Sequence, residues 1–134
     1  MQMEQRAVDI SVVVPLLNEK DNLRTLHREI TETMTGKLCS EYSYEIVFID
    51  DGSNDGGFDV LKDIQSDDPM VRVIKFRRNF GQTAAMSAGF EHCRGEIIVA
   101  MDADLQNDPA DIPMLIDKVN EGYDIVSGWR KERK

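Results

Sequence analysis

Asp102 and Asp104 stand one residue apart at the end of an apolar run, in EIIVAMDADLQNDP, with Gln106 two positions further on. Carboxylates this close repel each other unless something positive is shared between them. Oxygen donors at this spacing suit a hard divalent cation, Mg2+ or Mn2+, and an incomplete set leaves coordination positions for water or phosphate. A competing reading makes these acids caps of the helix after Pro109, but Asp108 suffices for that role. A helix–loop–helix calcium site fits poorly, because DADLQNDPADIP has Asn107 where the sharp turn wants glycine and Pro113 where a bidentate glutamate belongs. A second acidic pair, Asp50-Asp51, leads into DGSNDGG, which matches neither a P-loop nor a dinucleotide-binding glycine pattern.

The rest of the chain supplies few other reactive groups. His27 and His92 fall inside helical stretches and read as packing or surface histidines. Cys39 and Cys93 form no CxxC pair and read as reduced, partly buried thiols. The 134 residues carry 25 acidic and 16 basic side chains, a formal charge of −9. Such a surface argues against wrapping a nucleic-acid backbone and favours a small ligand, with local positive charge wherever that ligand is anionic. No apolar run reaches the length of a membrane span, and MQMEQRAVD has no signal-peptide core, so the chain is expected to cross no membrane.

Five β/α units must position these groups. ISVVVPLL (10–17) is a β-branched run typical of a strand buried on both faces. Asn18 is a candidate N-cap for a helix carrying Leu23, Leu26, Ile30 and Met34, stopped at Gly36. YEIVFID (44–50) is a second strand, and FDVLKDIQSDD a short helix with Phe58, Leu61 and Ile64 inward. VRVIKF (71–76) is a third strand, followed by the loop RRNFGQ and the small-residue helix TAAMSAGFEHC. EIIVAMD (96–102) is a fourth, followed by a helix with Ile112, Leu115, Ile116 and Val119. Pro109 and Pro113 are tolerated near that helix's start, where N–H groups lack helical partners. YDIVSGW (123–129) is a fifth strand. Strict alternation predicts an α/β fold, a doubly wound and mostly parallel sheet. Ligands of such sheets bind beyond the carboxyl ends of the strands. There the chain gathers Pro15 with Asn18-Glu19, Asp50 to Ser53, Arg77 to Asn79, Asp102 to Gln106, and Gly128 with Arg130.

VVVPLLNEKDNL, IVFIDDGSNDGG, FRRNFGQTAAMSAGF and IIVAMDADLQNDP, in that order and each at a strand end, resemble the family 2 glycosyltransferases of GT-A fold. The similarity is greatest to the branch of dolichyl-phosphate mannose synthases and bacterial polyprenyl-phosphate glucosyltransferases, and it runs from about Ile10 to Arg130. The resemblance implies that Pro15, Leu17 and Glu19, with Asn18 beside them, contact a donor nucleotide. It implies that Ile49, Asp50 and Asp51 hold the base, with Ser53 supporting their loop. Met101, Asp102 and Ala103 would lie along the ribose and pyrophosphate, and Asp102, Asp104 and Gln106 would bind the metal. Arg77, Asn79 and Gly81 belong to the loop typical of this branch, and Arg130 matches a basic residue near the pyrophosphate. Asp104 and Arg130 would then act in catalysis. An arginine suits that place because its fork pairs with phosphate oxygens.

The implied reaction is metal-dependent, inverting transfer of a sugar from a UDP- or GDP-sugar to a polyprenyl or dolichyl phosphate, at the cytoplasmic face of a membrane. Membrane contact would come only through the acceptor or through segments past Lys134. Leu17 replaces an aromatic residue common in relatives, which weakens the base platform. Relatives also continue further, so residues 1–134 are expected to form the N-terminal donor-binding part of one domain, with the general base beyond Lys134. Two alternatives stay open at this point. One is a catalytically incomplete nucleotide-sugar-binding fragment, and the other a Mg2+-binding phospho-receiver-like domain.

Overall fold

The computed structural model describes residues 8–122; the predicted fifth strand and Arg130 lie outside them. Four strands form one parallel sheet: β1 (Val8–Leu16), β2 (Tyr44–Asp50), β3 (Val71–Lys75) and β4 (Gly95–Ala100), in the order β3-β2-β1-β4. The helices between and after them are α1 (Leu23–Met34), α2 (Gly57–Asp67), α3 (Gln82–His92) and α4 (Ile112–Asn120), with single 3-10 turns at Lys20–Asn22 and Pro109–Asp111.

The sheet is buried on both faces, which is why its central strands are continuous apolar runs instead of alternating ones. On one face Val12, Val14, Ile46 and Phe48 pack with Leu26 and Ile30 of α1, Leu61 and Ile64 of α2, and Ile112 and Ile116 of α4. On the other, Val13, Val47 and Ile49 pack against α3 through Ala85. Gly89 makes that second contact close: a Cβ there would meet Ile49 Cδ1 at 2.9 Å. The small-residue composition of α3 is therefore a packing requirement.

Two sequence expectations are corrected locally. Asn18 does not cap α1; it adopts φ 56°, and the 3-10 turn and then α1 begin after Glu19 and Asn22. Its side chain is used across the sheet edge instead, where Oδ1 accepts from Asn54 N at 2.9 Å. Phe58 is half-buried on the flank, outside both core clusters, because Lys75 and Lys62 lie over its ring at 4.6 and 5.6 Å. Asp108 does cap the turn at Pro109, accepting from Ala110 N at 3.0 Å. Cys39 is buried and Cys93 half-buried, both as free thiols.

Candidate functional site

The strand order determines where a cleft opens. β1 has β2 on one side and β4 on the other, and the connection leaving β1 (α1) and the one entering β4 (α3) lie on opposite faces of the sheet. A crevice at the carboxyl ends of that strand pair is the usual binding place in open α/β sheets. A cleft of about 310 Å³ lies there, lined by Pro15, Leu16, Leu17 and Glu19 after β1, Asp51 after β2, Asn79 and Gly81 before α3, and Asp102 to Asp104 after β4. Gln82 and Ala85 of α3 complete the wall.

The acidic turn is built by its own side chains. Asn107 is buried, and its Oδ1 accepts from Asp102 N at 2.7 Å, closing the segment on itself. Asp104 Oδ1 accepts from Gln106 N at 3.1 Å. Between them Leu105 takes φ 67°, uncommon for a bulky residue, while its side chain packs against the larger core cluster. Asp102 and Asp104 both face the cleft, and Gln82 Nε2 reaches Asp102 Oδ1 at 3.5 Å. The exposed side chain of Gln106 is not part of the cleft wall. Among the described residues no group of three or more His, Cys, Asp or Glu side chains is disposed to hold a metal ion. A cation at the Asp102/Asp104 pair would therefore take its remaining ligands from ligand oxygens, water or the turn itself.

The loop after β2 joins the other two sides of the cleft. Ser53 Oγ accepts from Asn18 N at 2.8 Å, and Asp55 Oδ2 accepts from Lys20 N at 3.0 Å, which ties down the segment after β1. Asp50 is fully buried and closes its own turn, accepting from Ser53 N at 2.8 Å. Asp51 faces the other way, and its carboxylate accepts from Phe80 N at 2.8 Å and Gly81 N at 3.1 Å, with Asn79 Nδ2 at 3.3 Å. The motifs DDGS and RNFG, about thirty residues apart, are thus one structural unit.

Of the residues expected at a ligand, Pro15, Leu17, Glu19, Asp51, Asn79, Gly81, Asp102, Ala103 and Asp104 meet around the cleft. Ile49 and Met101 do not, because their side chains point into the two cores, where they are 0% and 4% exposed. Arg77 is exposed and outside the wall, and Arg78 stacks on Phe80 at 4.4 Å. Leu16, Gln82 and Ala85 line the cleft without having been singled out in the sequence. Gln82 ends the loop RRNFGQ in the sequence reading and is the first residue of α3 in the structure; Leu16 and Ala85 had no polar signal.

The order β3-β2-β1-β4 also disposes of the phospho-receiver alternative, since that class places its third strand beside the first. The profile described as glycosyl transferase family 2 matches residues 11–134. An undecaprenyl-phosphate 4-deoxy-4-formamido-L-arabinose transferase from Pseudomonas fluorescens SBW25 is 41% identical over 128 residues, covering 93% of this chain and 36% of that protein. One of the same description from Klebsiella pneumoniae 342 is 42% identical over 126 residues, covering 93% of this chain and 38% of that protein. The chain thus spans little more than a third of the length of these relatives. Among solved structures, mannosyltransferase PcManGT from Pyrobaculum calidifontis, in complex with GDP-Man and Mn2+, superposes with TM-score 0.68 at 22% identity, covering 83% of this chain and 32% of the other. S. aureus TarS 1–349 in complex with UDP gives TM-score 0.67 at 19% identity, covering 84% and 32%. Those two likenesses establish the fold, and it is the profile match, over nearly all of the sequence, that makes this chain a member of the family 2 glycosyltransferases.

Proposed function

We propose that the cleft binds the diphosphate-sugar donor of an inverting glycosyltransferase that passes the sugar to a polyprenyl phosphate, with Mg2+ or Mn2+ as cofactor. The observation that carries this reading is the placement of Asp102 and Asp104 on the cleft wall, across from the first turn of α3. That turn has no side-chain cap hydrogen bond, and Gly81, Gln82 and Ala85 line the same cleft as the carboxylates, so the positive end of the helix borders that space. A diphosphate between a cation and a helix N-terminus is stabilised from both sides. The donor set fits the metal: Asp102 and Asp104 supply hard oxygen ligands and leave positions open, as Mg2+ and Mn2+ sites usually do.

The nucleoside would lie along Pro15, Leu16 and Leu17 towards Asp51, with Glu19 at the rim. When bound, the metal would stabilise charge on the departing diphosphate. The residues of this chain do the rest by orientation. Asn79 and Gly81 hold the start of α3 against the phosphates, and Arg130 is assigned to the pyrophosphate side. An oxygen of the acceptor phosphate attacks the anomeric carbon as the bond to the diphosphate oxygen breaks, and the electron pair leaves with the nucleoside diphosphate. That acceptor is mostly ionised at neutral pH, its second pKa being about 6, so it needs less help from a general base than a hydroxyl would.

The names of the Pseudomonas and Klebsiella relatives favour undecaprenyl phosphate as the acceptor, and the GDP-Man and UDP complexes of the structural neighbours favour a nucleotide-sugar donor. A lipid acceptor would bring the reaction to the surface of a membrane, here proposed to be the cytoplasmic face. No helix among the described residues is long and apolar enough to cross it. Calorimetric titration with UDP- and GDP-sugars, in Mn2+ and in EDTA, tests the reading. Binding that disappears in EDTA is expected, and equal affinity in both buffers removes the metal from the proposal.

A further inference from the structure

We infer that Asn22 is a positioning residue, whose side-chain amide holds the Glu19 carboxylate at the nucleoside end of the cleft and leaves one of its oxygens to accept from a hydroxyl or N–H of the donor nucleoside. The inference rests on the cleft being the donor site, and it gives a role to a residue that stands outside the cleft wall.

Asn22 stands immediately before α1, where an asparagine most often caps the helix by accepting from a backbone N–H of the first turn. It makes no such bond. Its Nδ2 donates instead to Glu19 Oε1 at 2.8 Å. A carboxylate can only accept, so the amide nitrogen must be the atom that faces it. Glu19 in turn precedes the 3-10 turn at Lys20–Asn22 and caps nothing with its own side chain. Two side chains placed to cap helical turns thus bond each other. Among the described residues no ion pair and no second side-chain hydrogen bond engages Glu19.

The backbone beneath the pair is fixed as well. Asn18 N donates to Ser53 Oγ at 2.8 Å and Lys20 N to Asp55 Oδ2 at 3.0 Å, so the residues on either side of Glu19 are tied to the loop after β2. Asn22 N closes the turn on the Glu19 carbonyl at 2.9 Å. With its backbone fastened and Oε1 held, the glutamate is ordered before a ligand arrives, and the entropy of ordering a long side chain no longer opposes binding. Oε2 is then an anionic acceptor. It repels phosphate oxygens and suits the hydrogen-bond donors of a nucleoside. Glu19 lines the cleft together with Pro15, Leu16 and Leu17, the wall assigned to the nucleoside.

The test uses Asn22→Asp and Asn22→Ser in the 134-residue chain. Both new residues cap helices as well as asparagine does, so a capping role would survive either change. Neither can donate an amide to Glu19: aspartate opposes one carboxylate with another, and the serine side chain is one bond shorter. In Mn2+, binding of UDP and of inorganic pyrophosphate is measured by calorimetry. Both variants are expected to lose about fivefold or more in affinity for UDP, the scale of one hydrogen bond, with pyrophosphate within about twofold of the parent. Glu19→Ala is expected to show the same pattern. Adding Asn22→Ser to it should change UDP affinity by less than about twofold, because the group that Asn22 holds is gone. Parent-like UDP binding by either Asn22 variant would overturn the inference. So would equal losses of UDP and pyrophosphate, or an effect of Asn22→Ser undiminished in the Glu19→Ala background. If the parent chain binds neither ligand, the donor reading fails by itself. The side-chain amide resonances of Asn22 in NMR spectra then decide the clamp: Glu19→Ala should shift them, and unmoved resonances would overturn it.

Discussion

Both edges of the sheet bury carboxylates, and Glu45 at one and Asp51 at the other are treated differently. At the amino edge, Glu45 of β2 accepts from Ser11 Oγ and Arg94 N, both at 2.6 Å, and from Arg72 Nη1 at 2.9 Å. Ser11 Oγ accepts in turn from Gly95 N at 2.7 Å, so one acid joins residues of all four strands. At the carboxyl edge, Asp51 is satisfied entirely by uncharged N–H donors of a loop. The amino edge thus neutralises its charge internally with two guanidinium groups. The carboxyl edge keeps Asp51, Asp102, Asp104 and Glu19 around one space, with no cationic side chain in its wall among the described residues. One arrangement serves stability, and the other leaves an electrostatic deficit that the cation proposed above would fill. Among the described residues the non-glycine positions with positive φ, Asn18 and Leu105, both flank the second edge; strain is commonly stored at functional sites.

The largest effect that would break this contrast is at Glu45. Glu45→Ala leaves Ser11 buried without its acceptor and Arg72 and Arg94 without their carboxylate, and should cost about 3 kcal/mol of unfolding free energy, read by urea denaturation. Nucleotide binding at the far edge should stay within twofold; a comparable loss there would show that the edges are not independent.

At the cleft, Asp104→Asn should weaken Mn2+-dependent nucleotide binding tenfold or more, about 1.4 kcal/mol, while the urea midpoint hardly moves. A stability loss as large as that of Glu45→Ala would mean that the acidic turn is structural after all.

Asn18 gives a finer test of stored strain. Asn18→Ala should cost about 1–2 kcal/mol, since it loses the bond to Asn54 and puts a less tolerant residue at positive φ. Asn18→Gly should cost less than about 1 kcal/mol, because only the hydrogen bond is lost. Equal costs, measured by the same denaturation, would remove backbone strain from the account.

The smallest effect is in pH dependence. Burial pushes the Glu45 carboxyl up, but hydrogen bonds from Ser11, the Arg94 backbone and Arg72, with the Arg72 charge, outweigh it and bring the pKa below 4.5. A group depressed in the folded state contributes stability that is complete above its unfolded pKa and is lost as pH falls through the folded value. Stability should therefore decline below about pH 4.5, and Glu45→Gln should show a shallower decline over that range. Parallel acid profiles for the two proteins would refute the assignment.

Much of this was determined by the sequence alone. β-branched runs alternating with amphipathic segments were enough for the four described strands and their helices, because burial on both sheet faces demands continuous apolar stretches. The ends of those strands also showed where polar residues gather, and the four motifs pointed to the family. Which of these residues line the cleft was decided only by the tertiary structure. Strand alternation says that Ile49 and Asp50 point opposite ways, but not which face α3 covers, so Ile49 went to the core while Leu16 and Ala85 came to the cleft wall. Asn18 looked like a helix cap because local capping is the commonest use of its side chain; a partner 36 residues away took it instead. Asp51 likewise finds its donors 28 to 30 residues along the chain, at a separation no local pattern records. Spacing in sequence reports local geometry, and only the parallel pairing of β1, β2 and β3 brings those loops within hydrogen-bonding distance.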